Sequence, residues 1–259
     1  MGGLGNQMFQ ISHAVCQGFK HNRTSIFNPI SNTPLQGKQP PTYLGNIFKK
    51  INFSNEQLNY KIINEVGFGF NDLNPHDDNT LFIGYFQSSK NFFGFDEKII
   101  ELFSPSDDIV SLMKEKYNFN ENRITVSLHI RRGDYLKFPN IHPTLSKDYV
   151  DKILSSITYD TLLVFGEDKL FLKENFSDKN SIIIDEEDWY EMWLMSLCDI
   201  NIMSNSTFSW WGSFLNKKSH KKVYVPSIWF GPQGPKDSQD IYEGSWIKVD
   251  SKFKEGFIV

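Results

Sequence analysis

The sequence has few cysteines, no long apolar run and no excess of either charge. Cys16 and Cys198 are the only cysteines among 259 residues, too few for a disulfide scaffold or a thiolate-rich metal site. No apolar stretch nears the roughly 18–20 residues that span a bilayer. The N-terminus lacks the basic-then-apolar layout of a secretory signal. Together these absences imply a cytoplasmic protein. Lys and Arg number 27 against 31 Asp and Glu, a net charge of −4, so electrostatics makes no case for nucleic acid as a partner. No two aspartates stand two apart, and the six histidines show no paired metal spacing, so no metal site is expected.

What is present supports a packed core. Hydrophobic residues make up 39% of the chain and aromatic residues 15%, which excludes a disordered or collagen-like polymer. The length suits one large domain or two small ones. Gly2-Gly3-Leu4-Gly5-Asn6-Gln7 is glycine-rich and leads into a helix over about Gln7–Phe19, with Met8, Ile11, Val15, Cys16 and Phe19 spaced three or four apart. A glycine-rich loop that opens a helix lets backbone N–H groups approach an anion. Such loops normally follow a strand, and no residues stand ahead of this one to supply it. The first strand of the N-terminal domain is therefore expected to be missing.

A short strand over Thr24–Ile30 is followed by an irregular Asn-, Pro- and Phe-rich stretch from Ser31 to Asn79, which would supply much of any second-ligand pocket. Leu81–Phe86 reads as a strand and Ser106–Tyr117 as a helix. From Arg123 the pattern changes. Strand-like runs at Ile124–Ile130, Leu162–Phe165, Ile182–Ile184, Ile200–Met203 and Val223–Val225 alternate with helical stretches at Lys147–Ile157, Asp168–Asn175, Asp188–Leu197 and Thr207–Leu215. This alternation predicts a parallel sheet with helices on both faces. A boundary near 115–122 divides the chain into two α/β domains, 1–118 and 119–259.

Three clusters carry chemistry. His129-Ile130-Arg131-Arg132-Gly133-Asp134-Tyr135 lies at the carboxyl end of a predicted strand, where such sheets bind ligands. Guanidinium forks onto phosphate oxygens, so the arginine pair suits an anion better than a plain surface ion pair. Ser204-Asn205-Ser206-Thr207-Phe208-Ser209-Trp210-Trp211-Gly212 crowds small polar groups at a helix start, where they cap the helix or hold a phosphate or sugar hydroxyl. Trp210 and Trp211 are expected to divide, one in the core and one beside the site. In Gly166-Glu167-Asp168 a carboxylate either accepts from a guanine edge or caps the next helix; both readings stand. The acidic run Asp185–Asp188 reads as a helix start rather than a metal site.

These motifs, in this order and rough spacing across almost the whole chain, resemble the α-1,2-fucosyltransferases of glycosyltransferase family 11. The resemblance implies a GT-B-like pair of Rossmann-type domains, with an acceptor-side domain at 1–118 and a donor-binding domain at 119–259. It also implies GDP-β-L-fucose as donor, a galactose-containing glycan as acceptor, and metal-independent transfer with inversion to the galactoside 2-hydroxyl. No other cofactor is implied. Arg131 would be the main pyrophosphate contact, with Arg132 assisting or bracing and His129 in the same motif. Asn205, Ser206 and Thr207 would lie near the phosphates, and Glu167 and Asp168 near guanine. Gly3, Asn6 and Gln7 would approach donor or acceptor from the first domain. Asp134 is the first candidate for the base that deprotonates the acceptor, ahead of His142 or His129. Members often carry Ser-Asp-Asp where this chain has Gly166-Glu167-Asp168. Peripheral association with the inner face of a membrane is the family expectation. The rival readings are a catalytically inactive GDP-sugar-binding relative, a fucosyltransferase of different linkage, and a nicotinamide oxidoreductase. The poor glycine fingerprint argues against the last.

Overall fold

The computed structural model describes residues 1–29, 37–76 and 79–251. The chain divides into two compact units: Met1–Ser104 with Pro235–Glu243, and Pro105–Gly234 with the stretch from Gly244 onward. The sequence placed the boundary at 118/119. It falls instead ahead of the helix that Ser106 opens, and a second crossing returns Pro235–Glu243 to the first unit.

The first unit opens on α1 (Leu4–His21), three residues longer at its start than its apolar spacing indicated. Leu4, Met8, Phe9, Ile11 and Cys16 are buried along it. Asn22 ends it in the left-handed region, φ 50°, and Arg23 N–H donates to Gly18 O at 2.9 Å, a helix stop of the Schellman kind. Two short strands, β1 (Lys61–Asn64) and β2 (Thr80–Ile83), pair in parallel, and α2 (Asp96–Phe103) follows. The strand expected at Thr24–Ile30 is reduced to a single parallel bridge, Phe27 with Phe53; its last residue and residues 31–36 lie outside the described residues. The stretch read as irregular contains β1, whose one-sided, largely exposed burial gives it no clean alternation.

The second unit is a six-stranded parallel sheet. Its elements are α3 (Asp107–Lys116), β3 (Thr125–His129), α4 (Lys147–Leu154), β4 (Thr161–Phe165), α5 (Lys169–Phe176), β5 (Ser181–Ile183), α6 (Asp188–Met195), β6 (Ile200–Ile202), α7 (Thr207–Phe214), β7 (Lys222–Pro226) and β8 (Ile247–Val249). The strand order is β5-β4-β3-β6-β7-β8, the doubly wound dinucleotide-binding arrangement. All five residues of β3 are buried, as a central parallel strand covered on both faces requires. Val126, Leu128, Leu162, Val164, Ile200 and Ile202 form its core with Tyr149, Val150 and Ile153 of α4. The Ser146 side chain caps α4 by accepting from Tyr149 N–H. The architecture is α/β and GT-B-like, as expected, with the Rossmann-type sheet in the second unit and only the paired β1 and β2 among the described residues of the first. β8 was not foreseen, because three residues carry too little pattern.

Between β7 and β8 the chain passes through the first unit, where backbone N–H groups hold it. Asp237 Oδ2 accepts from Phe68 N–H at 2.9 Å and Gly69 N–H at 3.0 Å. Asp240 Oδ2 accepts from Phe70 N–H at 2.9 Å, and Oδ1 pairs with Lys90 at 2.6 Å. The hydrogen bonds from Gly69 and Phe68 hold the Asp237 carboxyl below its ordinary value. A depressed carboxylate stabilises the fold above its unfolded pKa of about 3.9, and that contribution is lost as pH falls through the lower folded value. Asp237→Asn is expected to lower the thermal midpoint by roughly 2–4 °C at pH 7. The difference from the unsubstituted protein should shrink as scans are taken below about pH 3.9; a difference that does not shrink would mean that the carboxylate charge is not what holds this segment.

Candidate functional site

The strand order reverses between β3 and β6, so the chain leaves these neighbouring strands toward opposite faces and their carboxyl ends open a crevice. At its floor His129 Nδ1 and Ser204 Oγ share a hydrogen bond of 2.7 Å, and the His129 ring leans on Phe208. His129 is 3% exposed. Burial, with the nearby charges of Arg131 and Lys169, lowers its pKa to about 3. It is a neutral tie between two strand ends and a feeble proton acceptor.

The two arginines that follow β3 have different surroundings. Arg132 is buried: its Nε donates to Asp168 Oδ2 at 3.1 Å, and its guanidinium lies 3.8 Å from the centre of the Phe171 ring. Asp168 Oδ1 meanwhile accepts from Phe171 N–H at 3.1 Å and caps α5. Asp168 thus caps α5, and Arg132 braces the loop against it. Arg131 is 31% exposed and held by two carboxylates, Asp134 Oδ1 at 2.6 Å and Glu167 Oε1 at 3.1 Å. Two glycines permit this. Gly133 has φ +20°, and a Cβ there would stand 2.1 Å from Glu167 Oε1; Gly166 has φ +157°, and a Cβ there would meet Ile130 O at 2.5 Å. The exits of β3 and β4 therefore touch backbone to backbone.

The second motif follows β6. Ser206 caps α7 by accepting from Phe208 N–H at 3.3 Å, and Thr207 is half-buried beside it. Asn205 is 1% exposed. Its Nδ2 donates to Pro143 O at 2.9 Å and Trp229 O at 3.0 Å, while its carbonyl accepts from Tyr135 Oη at 2.9 Å. Asn205 thus ties the two motifs together, and its Oδ1 has no partner among the described residues. His142 stacks on Tyr135, ring centres 4.8 Å apart, near Phe230. Burial lowers its pKa while the Asp134 charge acts to raise it. Both Trp210 and Trp211 are fully buried, so neither flanks the site: each packs against the other and against Phe214.

In the first unit the candidates surround the start of α1. Gln7 Nε2 donates to Gly2 O at 3.1 Å and Lys38 O at 2.9 Å, and Gln7 N–H donates to Gly3 O at 3.1 Å. Asn6 Oδ1 accepts from Gln87 Nε2 at 2.9 Å. Gln87 was not singled out in the sequence, yet its loop is braced heavily. Phe86 has φ 53°, uncommon for a bulky residue, and Glu65 accepts from Tyr85 N–H at 2.7 Å and Phe86 N–H at 2.9 Å. His13, buried and lowered to about 4, stacks on Phe86 and bonds Asn91, whose amide donates to Phe86 O. A positive φ at Phe86 is the only signal that marks this turn, and it is invisible in sequence. The unit also contains a cavity of about 940 Å³ lined by Gln17, Tyr60 and Phe82 among others, none a candidate residue.

A doubly wound sheet with an arginine pair and a capped, hydroxyl-lined helix start at its switch point, matched from residue 2 to residue 250 by the profile of glycosyl transferase family 11, defines a glycosyltransferase. The chain belongs to glycosyltransferase family 11. It is 28% identical to the O-antigen biosynthesis glycosyltransferase WbnK of Escherichia coli over 96% of this chain and 98% of that protein. It is 27% identical to an alpha-1,2-colitosyltransferase of Escherichia coli over 96% and 97% of the two chains. A galactoside 2-alpha-L-fucosyltransferase of Caenorhabditis elegans is 27% identical over 86% of this chain and 69% of that protein. The fold is similar to that of POFUT1 crystallised with GDP, with TM-score 0.50 and 13% identity over 88% of this chain and 96% of that one. No helix among the described residues is long and apolar enough to cross a membrane.

The double duty of Asp168 is separable by substitution. Asp168→Asn keeps a good cap but loses the ion pair, whereas Asp168→Ala loses both. Urea unfolding should show Asp168→Ala less stable than Asp168→Asn by about 1 kcal/mol. Equal losses would mean that the bond to Arg132, not the cap, is what Asp168 contributes.

Proposed function

We propose that the protein transfers L-fucose from GDP-β-L-fucose to the 2-hydroxyl of a galactoside in a surface glycan. The transfer forms an α-1,2 linkage with inversion and without a metal, in the cytoplasm. The observation that carries this reading is Arg131: a guanidinium at the sheet's switch point, reachable by ligand, one loop from the α7 helix start. Family membership and the fucosyl and colitosyl relatives support it. The absence of Asp-x-Asp from the sequence agrees with metal independence.

In this reading the acceptor O2 attacks C1 of fucose from the face opposite the nucleotide. The O2–C1 bond forms as the bond from C1 to the β-phosphate oxygen breaks, and that electron pair leaves on GDP. Arg131 and the positive end of the α7 dipole face the negative charge that grows on the β-phosphate. The proton of O2 passes to a base, Asp134 first, whose Oδ1 already holds Arg131. His142 is the second candidate, since its lowered pKa keeps it neutral and able to accept a proton at pH 7. His129 is buried too deeply for this role. Arg132, committed to Asp168 and Phe171, acts as brace.

The colitosyltransferase relative, matched as fully as any, favours a second reading in which the donor carries colitose instead. Purified protein incubated with GDP-fucose, lactose and EDTA tests the first: GDP release together with a 1→2-linked fucosyl-lactose is the expected result. GDP release without that product would refute the acceptor assignment, and turnover only with nucleotide-linked colitose would establish the second reading. Arg131→Ala is expected to cut the rate of transfer by about 10²–10³-fold with an unchanged thermal midpoint. Activity persisting within a few fold would remove Arg131 from the phosphate site.

A further inference from the structure

Arg131 is shared by two carboxylates before any nucleotide arrives, and this sharing has to be undone. One positive charge between Asp134 and Glu167 leaves the trio with a net charge of −1, while the neighbouring Arg132–Asp168 pair is neutral. A diphosphate approaching that trio meets repulsion as well as attraction, and Arg131 cannot offer both edges of its guanidinium to phosphate while both carboxylates hold it. The two partners are not equivalent. Asp134 stands three residues along, in the 3-10 turn Gly133–Lys137 that follows, with its Oδ1 2.6 Å from Arg131 Nη2. Glu167 comes from the exit of β4, on a longer side chain, 3.1 Å from Nη1. Its Oε1 occupies the space where residue 133 would carry a Cβ. That space exists because residue 133 is glycine.

We propose that Glu167 is a positioning residue: it holds the Arg131 side chain before the donor binds and yields it to the diphosphate, so that Asp134 stays paired while Glu167 is exchanged. Glu167 then acts through Arg131 and touches neither guanine nor sugar. The proposal rests on the reading of this site as one for a nucleoside-diphosphate sugar. Its signature is opposite in sign to that of a nucleotide contact: removing the Glu167 charge should tighten binding.

Calorimetric titration with GDP tests this on the unsubstituted chain, Glu167→Gln, Arg131→Ala and the double variant. Glu167→Gln is expected to bind GDP roughly fivefold more tightly, with the KM for donor falling by a similar factor. In the Arg131→Ala background the same substitution should change affinity by less than about twofold, because the residue it acts through is gone. Unchanged or weaker binding by Glu167→Gln, with the unsubstituted chain binding normally, overturns the proposal, and weaker binding would identify Glu167 as a direct nucleotide contact. If the glutamine variant is misfolded by circular dichroism, Glu167→Ala replaces it with the same expected sign. An unsubstituted chain that binds no GDP overturns the functional reading, and this proposal with it.

Discussion

The parallel pairing of β3 with β4 on one side and β6 on the other is the constraint on which the second unit depends. Val126 aligns with both Leu162 and Ile200, and Leu128 with both Val164 and Ile202, so three strand ends are brought level. Every residue that can face a ligand there leaves one of those ends. The neutral bond between His129 and Ser204 closes the floor without placing a charge in it. Arg131, Asp134 and Glu167 stand above, on the loops after β3 and β4, where water reaches them, and Arg132, the buried charge beside them, is paired with Asp168. Buried ionic groups would cost more in desolvation than their attraction returns. The site divides accordingly: apolar and hydrogen-bonded below, ionic above.

The second unit was legible in sequence because its central strands, β3, β4 and β6, are buried along almost their whole length. Such strands read as apolar runs, and the helices between them carry recognisable caps at Ser146, Asp168 and Ser206. The motifs at 129–135 and 204–212 could be placed at strand ends for the same reason. What could not be read is which groups in a motif face outward. Arg131 and Arg132 are adjacent and chemically alike, yet one is buried on a phenyl ring and the other is open to ligand. That difference comes from Phe171 and Asp168, some 36–40 residues away, and no local pattern encodes it. The paired tryptophans show the same limit: α7 is buried on nearly every side from Ser209 to Phe214, so both rings go inside.

The first unit was less legible, since its short strands alternate poorly and its order is carried by polar side chains bonding to backbone. Gln7 serves the backbone of Gly2 and Lys38, Glu65 that of Tyr85 and Phe86, and Asn91 that of Phe86 and Ser88. These residues stand in for missing ladder partners and satisfy groups that would otherwise be buried unpaired. Side-chain-to-backbone bonds leave no periodic trace in a sequence. The strain at Phe86 persists because Glu65, His13 and Asn91 over-determine it.

The path of the chain through Pro235–Glu243 has a consequence for the molecule's covalent organisation. The first unit is built from two separate stretches of sequence, and the second is interrupted by one of them. A single cut at 104/105 therefore does not release two whole pieces: the downstream fragment still contains nine residues that belong with the upstream one. The last strand, β8, comes after that excursion, so the second unit's sheet can be completed only once residues beyond Glu243 have been made. Replacing Pro235–Glu243 with a short link from Gly234 to Gly244 would make each unit one continuous stretch of chain; circular permutation would not, because the four stretches alternate between the units whatever the starting point.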